Sequence, residues 1–199
     1  DETTAWVARH PCSGEAPKVS RSVNTILILV GVALLVFIGL RMLRGGTHPL
    51  EGKPAPAFTA ETLDGESVDL TAMLGEKVVV LDFWASWCPP CRKGLPVVAE
   101  MAREFADKPV AVYGVNVGEP AEQVRGFLAK AELDLEVALD PDGVVAQEYG
   151  VRGIPQTVVI GRDGIVHEVH VGLSFNFDGT LRGAIEDALA PSEEPVSDM

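Results

Sequence analysis

Two cysteines, Cys88 and Cys91, have the type and spacing to do chemistry, with Pro89 and Pro90 between them. A C-x-x-C pair at the start of a helix can close into a small disulfide ring and reopen as a dithiol. The first cysteine then sits at the helix N-terminus, where backbone N–H groups and the helix dipole favour a thiolate. Only the thiolate attacks a disulfide, so a lowered thiol pKa supplies nucleophile near neutral pH. Cys88 is therefore the expected attacking thiol. Cys91, one turn into the helix and more enclosed, is the expected resolving thiol. Pro89 and Pro90 suit early helical positions, where a missing N–H costs little, and they stiffen the ring. Half of a zinc site is the competing use of such a pair. It would need two more ligands, and the chain has no second C-x-x-C and no H-x-x-x-H. His167 and His170, three apart in a predicted strand, point to opposite faces. No metal is expected. A purely structural disulfide across so short a loop would be unusual.

These cysteines need a scaffold, and the flanking pattern supplies one. Val78 to Phe83 reads VVVLDF, the continuous apolar run of a strand buried on both faces. Leu95 to Phe105 has helical spacing, and Val110 to Val117 reads as a second buried strand. Ala121 to Ala131 is helical, with Val124, Phe127 and Leu128 on one side. Leu135 to Leu139 reads as a short strand and Val144 to Tyr149 as a short helix. Thr157 to Ile160 and Ile165 to Val171 are strands joined at Arg162-Asp163-Gly164, and Leu181 to Leu189 is a final helix. Phe58 to Leu70 alternates around Asp64-Gly65, a hairpin signal. Strands alternating with helices, then a hairpin and a helix, indicate an α/β sandwich.

The rest of the chain divides by composition. Residues 1–22 contain Pro11, Pro17, Gly14 and several Ser and Thr, without apolar period, and are expected to be a flexible tail. Residues 23–40, VNTILILVGVALLVFIGL, carry no charge. As a helix they would span roughly 27 Å, close to a hydrocarbon core of about 30 Å. Arg41 and Arg44 follow directly, with no small-residue cleavage site, so a retained single-span anchor is expected. Its near flanks tie in positive charge, Arg9, Lys18 and Arg21 against Arg41, Arg44 and Lys53, so charge does not fix topology. Residues 41–53 read as a linker, 54–190 as the folded domain and 191–199 as a frayed, disordered end. The formal net charge is −13. Residues 51–199 alone hold 11 basic and 26 acidic residues, a net of −15. That lacks the basic surface nucleic-acid binding requires.

At this point a resemblance becomes specific. Strand-DFWASWCPPC-helix resembles the thioredoxin superfamily. The anchor, Gly114-Val115-Asn116-Val117-Gly118-Glu119 and Gly153-Ile154-Pro155-Gln156-Thr157 are similar to its TlpA/ResA/CcmG branch. The resemblance implies a thioredoxin-like three-layer sandwich with a mixed central sheet, preceded by one transmembrane helix. It also implies a cis Pro155 facing the dithiol, with the backbone of Ile154 exposed to pair with a substrate peptide. Trp87 matches the tryptophan before the first cysteine, an apolar lid flanking the thiol, while Trp84 is read as core. Asp82 matches a carboxyl beneath the dithiol. Partly desolvated, it should have a raised pKa and could take the Cys91 proton. Many ResA/CcmG-like proteins instead carry a Glu three residues after the second cysteine; here that position is Gly94. Glu119, at a strand end, has two readings, approach to the site or a solvated surface role, and the second is expected.

The resulting expectation is a thiol–disulfide oxidoreductase working as a protein-disulfide reductase, single-pass in the cell membrane with its domain on the extracytoplasmic, periplasmic face. By resemblance, its partners would be exported proteins with oxidised cysteine pairs, apocytochrome c among them, and a membrane electron donor. No cofactor beyond the cysteine pair is expected, and the soluble domain is expected to be monomeric. Two alternatives stand beside this. A thiol peroxidase of the same fold would need a Thr shortly before a single reactive Cys, where this chain has Ala85-Ser86-Trp87. A non-enzymatic copper-handling protein would use His167 or His170, which the hairpin should hold away from the dithiol.

Overall fold

The computed structural model describes residues 48–190 together with Val30 and Gly31, which are helical. The expected tail (1–22), most of the expected anchor (23–40) and the expected frayed end (191–199) lie outside the described residues. Among the described residues no helix is long and apolar enough to cross a membrane.

The folded unit is built on a five-stranded sheet. Its strands are β3 (Val78–Trp84), β4 (Val110–Val117), β5 (Val137–Asp140), β6 (Gln156–Ile160) and β7 (Val166–Val171), in the order β5-β4-β3-β6-β7. β3 pairs parallel with β4 and β4 with β5, while β3–β6 and β6–β7 are antiparallel. Four helices follow in chain order: α1 (Pro89–Glu104), α2 (Ala121–Ala131), α3 (Val144–Glu148) and α4 (Phe177–Leu189). β1 (Thr59–Glu61) and β2 (Ser67–Asp69) form their own antiparallel pair around the Asp64-Gly65 turn.

β3 is buried along its whole length, as its unbroken apolar run demands. Alternation sends Val78, Val80 and Trp84 into one core with Leu95, Val98 and Met101 of α1, Val124 of α2 and Leu181 and Ile185 of α4. Val79, Leu81 and Phe83 enter a second core with Phe58, Val68, Val145 and Tyr149. Helices on one side, and α3 with the β1–β2 pair on the other, complete the three layers of a thioredoxin-like fold with a mixed sheet. Trp84 fixes its neighbour across the sheet. A Cβ on Gly114 would lie 2.8 Å from the Trp84 indole nitrogen and 3.0 Å from Leu135.

Two boundaries differ from the sequence reading. α1 begins at Pro89, as the placement of Cys88 at a helix start requires, but α4 begins at Phe177, a turn before its apolar period becomes regular. The expected linker ends early, because residues 48–53 belong to the folded unit. The Gly52 N–H donates to the Val166 carbonyl, the Val166 N–H to Lys53, and the Val169 N–H to the Glu51 carboxylate. Breaker residues signalled a loop, but that loop supplies the partners β7 lacks on its outer edge. The chain enters this unit at His48, whose surroundings form a cleft with Leu50, Gly150, Gly153 and Val171. β7 also carries one extra residue: Val166 pairs with Ile160 and Glu168 with Val159, leaving His167 as a bulge.

Candidate active site

β3 ends at Trp84, and Ala85, Ser86 and Trp87 carry the chain to Cys88. Cys88 is the N-cap of α1, with Pro89 and Pro90 in its first turn. Its Sγ accepts the Cys91 N–H at 3.3 Å, satisfying one of the donors a helix start leaves free. Cys88 and Cys91 are joined as a disulfide, their Cα atoms 5.3 Å apart. Both are almost fully buried, but Cys88 is bordered by exposed Trp87, Pro89 and Pro90, whereas Cys91 faces the core. Once the bond is reduced, the same N–H and the dipole of a 16-residue helix stabilise a Cys88 thiolate.

The peptide bond between Ile154 and Pro155 is cis. The Ile154 carbonyl oxygen lies 3.7 Å from Cys88 Sγ, a position that can accept from the thiol when it is protonated. Pro155 is buried and Ile154 half-buried. The Pro155 carbonyl accepts the Gly172 N–H at 2.8 Å, tying this loop to the end of β7. Trp87 is 66% exposed beside Cys88.

Asp82 lies mid-strand on β3, on the side that carries Val80 and Trp84 toward the cysteines and α1. It is 2% exposed and accepts a 2.7 Å hydrogen bond from the Thr157 hydroxyl, its partner across β3–β6. Burial pushes its carboxyl up to about 7, and the Thr157 hydrogen bond opposes that only in part. At Gly94 a side chain would press on Leu173. A Cβ there would meet Leu173 at 3.2 Å and Phe177 at 3.8 Å.

Glu119 differs from the sequence reading: it is 3% exposed, not a solvated surface residue. Its carboxylate accepts from the Ser86 N–H and the Ser86 hydroxyl, both at 2.6 Å, from the Asn116 amide at 2.8 Å and from the Gln123 amide. Burial pushes Glu119 up, but the hydrogen bonds from Asn116, Ser86 and Gln123 outweigh it and hold the carboxyl below its ordinary value. A fixed anion thus grips the loop two residues ahead of Cys88. Asn116, Glu119 and Gln123 are close in sequence, which could suggest one face, but Ser86 lies 33 residues away. Their common partner was invisible without the fold. His170 has 14% of its side chain exposed and packs edge-on against Phe177, on the same side of the sheet as Asp82. Among the described residues no group of three or more His, Cys, Asp or Glu side chains is placed to hold a metal.

Residues 52–169 match the AhpC/TSA family. Over 151 residues the chain is 32% identical to the thiol–disulfide oxidoreductase ResA of Bacillus subtilis, covering 75% of this chain and 84% of that protein. It is 39% identical over 125 residues to the thioredoxin-like protein YneN of the same organism, covering 61% and 72%. Among solved structures, a putative thiol:disulfide interchange protein DsbE from Chlorobium tepidum aligns with TM-score 0.65 and 36% identity, covering 70% of this chain and 98% of that one.

Proposed function

The chain belongs to the AhpC/TSA family and is a thiol–disulfide oxidoreductase of thioredoxin-like fold, and from that premise we propose that it runs in the reducing direction on exported proteins, held to the membrane by residues 23–40. The observation that carries the chemistry is the Cys88–Cys91 pair at the start of α1, with exposed Trp87 beside Cys88 and Asp82 buried on the dithiol side of β3; the reducing direction is proposed from the family resemblance. In the reduced protein the Cys88 thiolate attacks one sulfur of a substrate disulfide. A mixed disulfide forms and one substrate thiolate leaves. Asp82, ionised, takes the Cys91 proton, and the Cys91 thiolate attacks Cys88 Sγ. The second substrate thiolate leaves, and the Cys88–Cys91 bond carries the two electrons' worth of oxidation. Trp87 and Pro155 flank the attacked sulfur, and the Ile154 backbone offers strand-like pairing to the substrate peptide. Pro89 and Pro90 keep the turn between the cysteines stiff.

Apocytochrome c is the proposed substrate by family resemblance, and a membrane dithiol carrier is the proposed source of electrons. The uncharged 23–40 stretch supports the anchor. Trapping tests the reading. In cells, Cys91→Ser should leave Cys88 locked to an exported protein as a mixed disulfide identifiable by mass spectrometry. Capture of nothing, or capture only of cytoplasmic proteins, would refute it. Equilibration of the full-length chain with glutathione should give a potential near the about −270 mV of thioredoxin. A value near about −120 mV would make it an oxidant instead.

A further inference from the structure

Asp82 is sealed from solvent, so a proton it takes from Cys91 must leave by some route. The sheet register supplies one. Asp82 on β3 pairs with Thr157 on β6, and Thr157 pairs with His170 on β7, the last strand of the sheet. Directly paired residues share a face, with Cβ atoms about 4.5–5.5 Å apart. The three side chains therefore form one row from the buried carboxyl to the sheet edge. The Thr157 hydroxyl has a single proton and gives it to Asp82. At the far end, His170 Nε2 is buried and without a hydrogen-bond partner. Beyond it, Glu168 Oε1 lies 3.6 Å away on a half-exposed side chain. The groups facing the imidazole are thus Glu168 on its own strand, Thr157 and, one strand further, Asp82, while α4 presents the Phe177 ring.

We propose that His170 carries the proton between Asp82 and solvent through the Thr157 hydroxyl. This rests on the reading that Asp82 takes the Cys91 proton. When Asp82 is protonated it becomes the donor, and the hydrogen bond to Thr157 reverses. The Thr157 hydroxyl proton then needs an acceptor, and the unpartnered Nε2 of its cross-strand neighbour provides one. The carboxyl proton passes to the Thr157 oxygen as the hydroxyl proton passes to neutral His170. The imidazolium, paired briefly with Glu168, releases that proton to solvent. Asp82 returns to carboxylate, and no proton is gained or lost by the row. An orphaned buried nitrogen would otherwise be a plain cost to the fold.

The test is single-turnover reduction of a peptide disulfide by the full-length chain in detergent, resolving mixed-disulfide formation from its resolution. In His170→Gln, formation should be unchanged and resolution slowed about tenfold, below the 10²–10⁴ of a direct general base. Glutamine can accept from Thr157 but cannot carry a proton. His170→Gly should be slowed similarly and recover with added imidazole. Thr157→Val should be slowed without imidazole rescue, and it decides the matter where the His170 variants do not fold. Wild-type resolution rates and pH profile in His170→Gln, or slowing in His170→Gly that imidazole does not relieve, would overturn the proposal. Asp82→Asn separates the two readings. If it leaves resolution unchanged, the Asp82 role itself is wrong; if it slows resolution while His170→Gln does not, only the relay is wrong.

Discussion

In the proposed reaction Asp82 ties activity and stability together through one carboxyl. Its pKa is near 4 in an unfolded chain and about 7 in the fold. The folded state therefore binds the proton more tightly, and stability falls as pH rises between those values. At about 1.36 kcal/mol per pH unit, the penalty saturates above pH 7 on the order of 4 kcal/mol. Asp82→Asn should raise the melting temperature at pH 8 and leave it nearly unchanged at pH 4, while slowing resolution of the mixed disulfide. Parallel melts of the two proteins across that range check the sign. A gain at pH 4 as large as at pH 8 would contradict it. Glu119 works in the opposite sense. Its carboxyl is held below the ordinary value, so its contribution is present at neutral pH and lost as pH falls through the carboxylate range. Glu119→Ala strands the buried Asn116 amide and the Ser86 N–H, at about 1–3 kcal/mol each. Urea unfolding should show that loss.

Elements were legible where a period ran long enough. The apolar run of β3, the α/β sandwich and the helix after the cysteines follow from the sequence, the mixed sheet from the resemblance, and the C-x-x-C itself marks where β3 hands over to α1. What the sequence concealed is contact between distant elements. Glu119 looked solvated because a carboxylate after a strand usually is, and Ser86 lies on another loop. The face that His170 takes was concealed by the bulge at His167, which breaks strict alternation between Val166 and Glu168. Residues 48–53 looked like linker because partnering an edge strand leaves no hydrophobic signature. Gly114 illustrates the converse: a glycine inside a strand whose need is set by Trp84, on the neighbouring strand. Gly114→Ala should cost about 1–3 kcal/mol by overpacking. A thermal melt within experimental error of wild type would show that Trp84 shifts freely.

The whole molecule carries its charge unevenly, with a net of −15 on residues 51–199. Such a field favours encounter with basic partners and is screened beyond about 8 Å at physiological salt. A lysine-rich disulfide peptide should be reduced faster than a glutamate-rich one at low ionic strength, and the difference should shrink as salt rises. Stopped-flow rates against salt concentration would reveal it, and equal rates at every salt concentration would show that the site is electrostatically neutral to its substrates. The placement of the two ends of the folded unit has a further consequence for handling the protein. The chain enters the unit at His48, in a cleft shared with Gly153 and Val171, next to the loop whose Ile154 carbonyl meets Cys88. The last turn of α4 lies instead beside the Gly161–Ile165 hairpin, at the other end of β6 and β7. A bulky tag or fluorophore fused just ahead of His48 would crowd the sulfur that substrates must reach, whereas the same label after Ala190 would leave that approach clear.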